Sequence, residues 1–408
     1  MGLGLFDGGV GVTRRLVAQG YHVLVTDLKS ETDLAPSLAK LADLDVRYRL
    51  GAHDEDDFRH TELVVVNPAV PPGNRFVAAA TAAGVPVTTE IALFAEACRG
   101  RGVTVTSTAG KSTTTALLAR CLEASGRVVH LGGNIGKSLL GVVDEIGPDH
   151  LVVLELSSFH LHWLRRLGWR PAIGVYTNLA PNHLDWHGAF ADYAADKAGI
   201  VPTAGGTLVA SWDDAAVRAL ADAAPCRVVW TSRDATPERG DAVWWQDARL
   251  VRRTDGAESD LLGKDDVRLL GAHALWNVAQ AAAAALAAGV TVGGVRDAVR
   301  SFAGLPHRLC PLGEIDGVLS VDDSKSTTPG ATALALAAFT RPVRLLAGGY
   351  DKGLDPAPLV DAARSRAASV HCYGATGPAL AERLRVAGGD VTLHATPGEA
   401  VAAPPPRA

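Results

Sequence analysis

A short run of small and basic residues carries the chemistry of a phosphate-binding loop. Gly110-Lys111-Ser112-Thr113 lies between an apolar strand and the first turn of a predicted helix. Backbone N–H groups at a helix N-terminus face an anion, and the helix dipole favours negative charge there. Lys111 would reach the β and γ phosphates of a nucleotide, and the Ser112 hydroxyl would bind Mg²⁺. Val105 occupies a position where the strict motif requires glycine, so an ordinary Ser/Thr-rich helix cap is the alternative.

Candidate Mg²⁺ ligands follow two further predicted strands. Glu155 comes directly after the apolar run Leu151 to Leu154, and the carboxyl end of a strand beside a phosphate loop is a suitable place for Mg²⁺. His183, Asp185 and His187 lie within five residues after the next strand. Three candidate ligands at this spacing indicate a metal site, and a capped loop with solvated histidines is the alternative.

The N-terminal segment has the residue order of a dinucleotide-type Rossmann unit. Gly2 and Gly4 precede a helix predicted over Val12 to Ala18, and Asp27 ends the strand that follows. An acidic residue at that strand end binds a ribose or a neighbouring polar group in such folds. Asp7 occupies the third glycine position, and a plain βαβ turn is the alternative. The strand that would precede the glycines is expected to be missing.

Composition and charge exclude several classes of protein. The chain has 408 residues, enough for two or three domains, with 48% hydrophobic and 20% charged residues. The net charge of -5 provides no basic surface, so nucleic acid is not an expected partner. No apolar run reaches the roughly 18 residues of a membrane helix, and no signal peptide is recognisable. The five cysteines have neither zinc nor redox spacing, so we expect reduced, buried thiols in a cytoplasmic protein.

Helices and strands alternate along the chain, which predicts an α/β protein with parallel sheets. We expect a Rossmann-like domain over 1–97, a central phosphate-loop ATPase-like domain over 98–302, and a C-terminal Rossmann-like domain over 303–408. The central domain would include a hairpin near 242–251. The proline-rich stretch at 404–406 cannot form a strand or a helix, so we expect the last domain to be truncated.

Seven segments in chain order resemble the Mur ligase family. They are Gly110-Lys111-Ser112-Thr113, Gly132-Gly133-Asn134-Ile135-Gly136, Leu154-Glu155-Leu156-Ser157-Ser158-Phe159, Asn178 with His183-Leu184-Asp185, Gly304-Leu305-Pro306-His307-Arg308, Asp323-Ser324-Lys325 and Asp351-Lys352-Gly353. The resemblance implies an ATP-dependent ligase that forms an amide through an acyl phosphate. The Rossmann-like first domain favours members that add D-glutamate to UDP-N-acetylmuramoyl-L-alanine in peptidoglycan precursor synthesis.

The resemblance implies three groups of site residues. The residues that bind ATP would be Thr108, Gly110, Lys111, Ser112, Thr113, Asn277, Arg308 and Asp323. The residues that bind the UDP-sugar and D-glutamate would be Gly4, Leu5, Phe6, Asp27, Asn134, Ser157, Lys325 and Lys352. Two Mg²⁺ ions would use Ser112, Glu155 and His183, and the catalytic residues would be Lys111, Glu155, His183 and Lys197.

Lys197 has two interpretations. On the predicted helix Tyr193 to Ile200, a lone lysine is usually a solvated charge. By the same resemblance, Lys197 would be carbamylated by CO₂, which converts a cation into an anion that orients the shell of the second Mg²⁺. The lysine must lose its proton to react, and burial favours that loss. We also expect a monomer, with no membrane partner.

Several positions depart from the family pattern and predict a weaker site. Ser107 and Ala109 replace a glycine and an asparagine of the phosphate loop, and Ser107 places a Cβ where a positive φ and a close approach to phosphate are expected. Ala274 and Thr328 replace asparagines, and Asp7 adds negative charge near the expected diphosphate. Each change would reduce transition-state stabilisation by about one to a few kcal/mol.

Four functions follow from these observations. The first is the ATP- and Mg²⁺-dependent ligase, and the second is a degenerate or truncated homologue that binds nucleotide or UDP-sugar without turnover. The third is a sibling ligase that adds another amino acid. The fourth is a nicotinamide dehydrogenase, which Gly2 and Gly4 alone suggest and which leaves Lys111, Glu155 and His183 unexplained.

Overall fold

The computed structural model has an α/β fold, as predicted, and it describes residues 1–5, 7–351 and 353–403. The chain forms two compact units. The larger comprises Met1–Asp266 and Trp276–Ser301, and the smaller comprises Val267–Leu275 and Phe302–Ala408. The division into three domains stays a prediction. Among the described residues, no helix combines the length and the apolar character needed to span a bilayer.

The described residues form strands and helices that alternate over most of the chain. The strands are β1 (Leu24–Asp27), β2 (Arg47–Leu50), β3 (Val64–Val66), β4 (Val87–Thr89), β5 (Arg101–Thr106), β6 (Val129–Gly133), β7 (Leu151–Glu155), β8 (Ile173–Tyr176), β9 (Thr207–Ser211), β10 (Arg227–Ser232), β11 (Asp241–Gln246), β12 (Arg249–Thr254), β13 (Ala257–Gly263), β14 (Cys310–Ile315), β15 (Val318–Asp322), β16 (Val343–Gly348), β17 (Ala367–Tyr373) and β18 (Val391–Leu393). The helices are α1 (Asp7–Ala18), α2 (Glu31–Ala39), α3 (Glu55–Arg59), α4 (Arg75–Ala82), α5 (Glu90–Ala97), α6 (Lys111–Glu123), α7 (Ser158–Arg166), α8 (Leu184–His187), α9 (Phe190–Lys197), α10 (Ala215–Asp222), α11 (Ala272–Ala287), α12 (Val292–Ser301), α13 (Pro329–Leu336), α14 (Ala357–Arg366), α15 (Gly377–Val386) and α16 (Pro397–Ala402).

The first residues of the chain lie between two small parallel sheets, β1–β2 and β3–β4. Gly2 N donates to Thr26 O at 2.8 Å, and Met1 N donates to Val65 O at 2.8 Å. They therefore occupy the strand position that we expected to be missing.

Helix α1 begins at Asp7, five residues before the predicted start at Val12. A Cβ on Gly9 would lie 2.3 Å from the Leu3 carbonyl oxygen. Gly9 therefore lies within the helix and permits its close approach to the segment that precedes it.

A nine-stranded sheet forms the centre of the larger unit, in the order β13-β12-β11-β10-β9-β8-β5-β7-β6. Its pairs are parallel from β6 to β11, and the register places Val105 beside Glu155 and Thr106 beside Tyr176. Strands β7 and β8 are buried along their whole length. The carboxyl ends of β5, β7 and β8 therefore meet at one edge, where ligands bind in open parallel sheets.

The other end of this sheet is antiparallel. Strands β11 and β12 form the predicted hairpin, and β13 adds a third antiparallel strand that the sequence analysis missed. Strand β11 still pairs in parallel with β10, so the parallel arrangement ends at the predicted hairpin, and β13 is the addition that was not predicted. Strands β12 and β13 lie at the opposite end of the sheet from β5, β7 and β8, whose pairings are all parallel.

The smaller unit contains the antiparallel pair β14–β15 and the parallel sheet β16-β17-β18. Its core consists of apolar side chains from β16, β17 and the helices, including Leu336, Leu359, Val370 and Leu384. All five cysteines of the chain are free, but only Cys121 and Cys372 are buried. The burial expected for Cys98, Cys226 and Cys310 is wrong. The truncation of the C-terminal domain stays a prediction.

Candidate functional site

The phosphate loop connects β5 to α6 with a left-handed glycine. Gly110 has a φ of 87° and immediately precedes the first residue of α6. A Cβ at this position would lie 2.8 Å from Asn277 Oδ1, so glycine is required for conformation and for space. Asn277 is buried and also accepts a hydrogen bond from the Thr114 hydroxyl at 3.1 Å. The structure thus places predicted ATP residues from β5–α6 and α11 side by side.

The two unusual residues of this loop are accommodated. Ser107 is buried without a positive φ, so the left-handed conformation expected for it is wrong, and its hydroxyl donates to Ala109 O at 2.7 Å. The Asn178 side chain binds both polar groups of Ala109, accepting from its N at 2.9 Å and donating to its O at 2.9 Å. Asn178 thus supplies the loop with a side-chain amide that Ala109 lacks.

Thr108 anchors the middle of the loop. Its hydroxyl lies 3.0 Å from the Tyr193 hydroxyl and accepts from Ala180 N at 2.9 Å. Its own N–H donates to Asn178 O at 3.0 Å. The contacts tie the loop to the segment after β8 and to α9. Thr113, also predicted to bind ATP, is half-buried in the first turn of α6.

Two lysines converge on one backbone oxygen of the loop. Lys111 Nζ and Lys197 Nζ each donate to Ser107 O at 2.8 Å. Lys197 also donates to Thr106 Oγ1 at 3.0 Å and is 1% exposed, so the solvated interpretation is wrong. Burial and then the Lys111 charge hold the pKa of Lys197 well below 10.5, while Glu155 acts in the opposite direction.

Glu155 ends β7 as a buried carboxylate with one unsatisfied oxygen. Its Oε1 accepts from Asn134 Nδ2 at 2.8 Å, whereas its Oε2 has no hydrogen-bond partner. A Cβ on Gly133 would lie 2.3 Å from the Glu155 carbonyl oxygen, so only glycine allows this approach. A buried carboxylate oxygen without a donor suits a cation.

His183 is held in a strained conformation beside the two lysines. Its φ of 53° is left-handed, and it immediately precedes the short helix α8. Its ring centroid lies 4.9 Å from that of Phe159. Partial burial lowers the pKa of His183, Asp185 raises it, and the charges of Lys111 and Lys197 lower it. The structure therefore brings His183 within electrostatic range of both lysines.

The neighbouring candidate ligand His187 points into the core. Its Nδ1 lies 3.1 Å from Asp196 Oδ2, and its Nε2 lies 2.9 Å from the Ser158 hydroxyl. Both ring nitrogens are therefore engaged, and the prediction of His187 as a metal ligand is wrong. No group of three or more His, Cys, Asp or Glu side chains in the described parts of the chain could hold a metal ion.

The predicted UDP-binding residues meet at the start of the chain. Gly4 N donates to Asp27 Oδ2 at 3.0 Å, and Lys29 N donates to Asp27 Oδ1 at 2.9 Å. Leu5 is exposed beside them, and Phe6 lies outside the described residues. The Asp7 carboxylate forms an ion pair with Lys40 at 2.7 Å, which partly neutralises the negative charge expected near the diphosphate.

The remaining predicted binding residues lie in the smaller unit. Leu309 N donates to Asp323 Oδ1 at 3.0 Å, and Lys325 N donates to His307 O at 3.1 Å. These bonds bring Arg308, Asp323 and Lys325 together. Lys352 lies outside the described residues.

The two residues that replace asparagines of the family pattern lie on helices. Thr328 caps α13 by accepting from Ala331 N at 3.3 Å. Ala274 is buried in α11.

Ser157, predicted to bind substrate, is the N-cap of α7. Its Oγ accepts from His160 N at 3.2 Å, and its own N–H donates to His160 Nδ1 at 3.4 Å. Burial lowers the pKa of His160 to about 4, which keeps this ring nitrogen able to accept. Asp196 was not among the predicted site residues, and its only sequence signal is its position next to Lys197.

Two protein-family models match this chain, and both matches lie mainly in the larger unit. Residues 105–285 match the Mur ligase middle domain. Residues 1–89 match the N-terminal domain described as MurD-like in the Mur ligases. The two matches cover the glycine-rich start of the chain, the phosphate loop, Glu155, His183 and Lys197.

Relatives of known name cover almost the whole chain. The UDP-N-acetylmuramoylalanine–D-glutamate ligase of Roseiflexus sp. (strain RS-1) is 41% identical over 95% of this chain and 85% of the relative. The ligase of the same name from Symbiobacterium thermophilum is 36% identical over 98% of this chain and 88% of the relative. The expected family is therefore confirmed by sequence over nearly the full length.

Solved structures share the fold at lower identity. The UDP-N-acetylmuramate-alanine ligase MurC from Thermotoga maritima aligns with a TM-score of 0.62 and 19% identity, over 96% of this chain and 89% of that chain. A pseudomurein peptide ligase type C from Methanothermus fervidus aligns with a TM-score of 0.55 and 16% identity, over 95% and 86%. These similarities support the α/β architecture.

Proposed function

The chain belongs to the Mur ligase family, and we propose that it joins D-glutamate to UDP-N-acetylmuramoyl-L-alanine. It is an ATP- and Mg²⁺-dependent amide ligase. Relatives that are 41% and 36% identical bear the D-glutamate activity in their names. The observation that carries the proposal is the convergence of Lys111, Lys197 and the buried Glu155 on the phosphate-loop edge of the sheet.

The reaction concentrates negative charge, because a triphosphate must approach a carboxylate. The alanyl carboxylate oxygen takes the γ-phosphoryl group of ATP, and ADP leaves. The D-glutamate amine then attacks the acyl carbon, the bond to phosphate breaks, and an amide forms with loss of a proton. Lys111 and the amides at the start of α6 would offset the phosphate charge.

The metal-binding residues present fit Mg²⁺. Glu155 Oε2 is buried and lacks a donor, and a divalent cation satisfies such an oxygen. We propose two sites, one held by Ser112 and Glu155 and the other by His183. Mg²⁺ bound there would neutralise charge on the phosphate oxygens.

Carbamylation of Lys197 is a further part of the proposal. The amine nitrogen would bond to the carbon of CO₂, and the amine proton would leave. Burial and then the charge of Lys111 lower the pKa of Lys197, so the amine loses its proton at a pH below 10.5, the ordinary pKa of lysine. The product is an anion in a place where a protonated lysine is poorly solvated.

The substrate ends are assigned by the family resemblance. Gly4, Leu5 and Asp27 would bind the uridine diphosphate in an N-terminal domain, and Asn134 would contact the acyl group. Arg308 and Asp323, with Asn277, would contact adenosine, and Lys325 would contact D-glutamate. The arrangement in three domains and a monomeric state in the cytoplasm belong to the same proposal.

Phosphate release with purified protein tests the proposed function. Release should require ATP, Mg²⁺, UDP-N-acetylmuramoyl-L-alanine and D-glutamate together, and a panel of amino acids should give one strong response, to D-glutamate. Binding of nucleotide without any release would indicate a non-catalytic homologue. A stronger response to another amino acid would indicate a sibling ligase, and NAD(P)H turnover would indicate a dehydrogenase.

A further inference from the structure

Asp196 is a buried carboxylate that ties three helices together. It immediately precedes Lys197 on α9, and its side chain is 4% exposed. Its Oδ2 accepts from His162 Nδ1 on α7 at 2.9 Å and from His187 Nδ1 on α8 at 3.1 Å. Arg165 Nη2 on α7 lies 3.1 Å from the other carboxylate oxygen. One side chain thus connects the elements that carry Ser158, His183 and Lys197.

The second nitrogen of His187 extends this network to Ser158. The His187 Nε2 to Ser158 Oγ distance is 2.9 Å, so Ser158, His187 and Asp196 have the connectivity of a Ser–His–Asp triad. Ser158 is 2% exposed, however, and no substrate could reach its hydroxyl. The network therefore orients its members and performs no nucleophilic chemistry.

The network fixes the strained turn at His183. The His183 carbonyl accepts from Trp186 N at 3.1 Å and from His187 N at 3.0 Å. A left-handed non-glycine residue persists only where its surroundings over-determine it. The Trp186 indole makes a second contact from the same helix, donating to Ala69 O at 3.0 Å. The C-terminal end of α8 is thus held through Trp186 and His187, and Asp196 supplies the anchor for His187.

We infer that Asp196 is a positioning residue for the metal-binding side of the site. Through His187 it fixes α8, and α8 fixes the turn from which the His183 imidazole projects. Its place next to Lys197 means that the same anchor holds the end of α9 that carries this lysine. The inference rests on the proposed role of His183 as a Mg²⁺ ligand.

The variant Asp196→Asn tests this role because it keeps the shape of the side chain and removes its charge. We expect the Mn²⁺ dissociation constant, measured by calorimetry with a nonhydrolysable ATP analogue present, to rise by about tenfold. This is the lower end of the loss for outer-shell partners of metal ligands, because Asp196 acts on His183 through α8. The Mg²⁺ concentration for half-maximal phosphate release should rise in parallel. Nucleotide affinity should remain within about twofold, because the hydrogen bonds and the ion pair of the Asp196 carboxylate connect it to α7 and α8.

The matched control is Asp241→Asn. Asp241 is also a carboxylate in an ion pair, with Arg227, and its side chain is 19% exposed, but it lies on β11, the fourth strand from β5 in the sheet. We expect this variant to lose thermal stability and to keep the Mn²⁺ affinity of the native protein. Asp196→Asn would overturn the inference if it lost stability to the same extent with Mn²⁺ affinity unchanged.

A second variant covers the case in which Asp196→Asn does not fold. His187→Gln breaks the arm to α8 and leaves the contacts of Asp196 with His162 and Arg165 in place. The expected loss of Mn²⁺ affinity is the same, and an unchanged affinity would overturn the inference. If the native protein released no phosphate but Asp196→Asn still weakened Mn²⁺ binding, the proposed function would fail and the positioning role would stand.

Discussion

The carbonyl oxygen of Ser107 accepts a hydrogen bond from each of two lysines, and only one of these lysines is fully buried. Lys197 is 1% exposed and faces Lys111 across the shared oxygen. Burial and like-charge repulsion both disfavour its protonated form. A protonated lysine at position 197 therefore lowers the stability of the fold. The proposed carbamylation of Lys197 gives a functional reason for a lysine at this position.

Lys197→Met should therefore increase stability and abolish phosphate release. Between the lowered pKa of Lys197 and 10.5, the unfolded chain binds more protons than the folded chain, so the stability of the native protein rises with pH. Methionine has no such proton, so its advantage should be largest at low pH and should vanish above 10.5. Denaturant unfolding across this range in CO₂-free buffer measures the difference. A difference independent of pH would mean that the lysine keeps its ordinary pKa in the folded protein.

Ser107 gives a second prediction at this scale. Because it has no positive φ and its hydroxyl donates to Ala109 O, glycine offers the loop no conformational relief. Ser107→Gly should lower the free energy of unfolding by about 1 kcal/mol, through the lost hydrogen bond and the added chain entropy. The kcat for phosphate release should not increase. An increase would mean that the Ser107 Cβ obstructs the phosphates.

At the scale of elements, each proposed catalytic residue stands at a strand end or a helix end. β5 leads into the phosphate loop, β7 ends on Glu155, and Lys197 ends α9. Strand β5 pairs in parallel with both β7 and β8, so the carboxyl ends of the three strands lie side by side. No single sequence motif spans these three strand ends. A parallel sheet thus converts local signals that are far apart in the chain into one site.

The N-cap of α7 can be tested by a pair of substitutions. Ser157→Ala should reduce the free energy of unfolding by about 1 kcal/mol, because it leaves the His160 N–H without an acceptor. Ser157→Thr keeps a hydroxyl at the cap and should lose much less. Urea titration of both variants measures the difference. Equal losses would show that the cap hydrogen bond does not cause the effect.

The elements that sequence reasoning recovered are those with local signals. The phosphate loop and the hairpin β11–β12 have characteristic residues at fixed spacing, and both were predicted. The start of α1 was missed because Gly9 has low helix propensity and is required by its contact with Leu3. His187 and Asp196 were misjudged or missed because their burial depends on residues distant in sequence, and spacing alone does not encode it.

At the scale of the whole molecule, the predicted site residues divide between the two units. The phosphate loop, Glu155, His183, Lys197 and Asn277 belong to the larger unit, and Arg308, Asp323 and Lys325 belong to the smaller. Each group is held together by hydrogen bonds within its own unit. Nucleotide binding to the larger unit can therefore be measured as a change in the stability of that unit.

A nonhydrolysable ATP analogue with Mg²⁺ should stabilise the larger unit, because a ligand that binds only the folded state shifts the unfolding equilibrium toward that state. At about 100 times its dissociation constant, the analogue should raise the free energy of unfolding by about 2.7 kcal/mol. Differential scanning calorimetry should show this as a higher transition temperature. Lys111→Ala should remove most of the shift, since it takes the only lysine from the start of α6, whereas Asp241→Asn should retain it. A full shift in Lys111→Ala would place the nucleotide away from the phosphate loop.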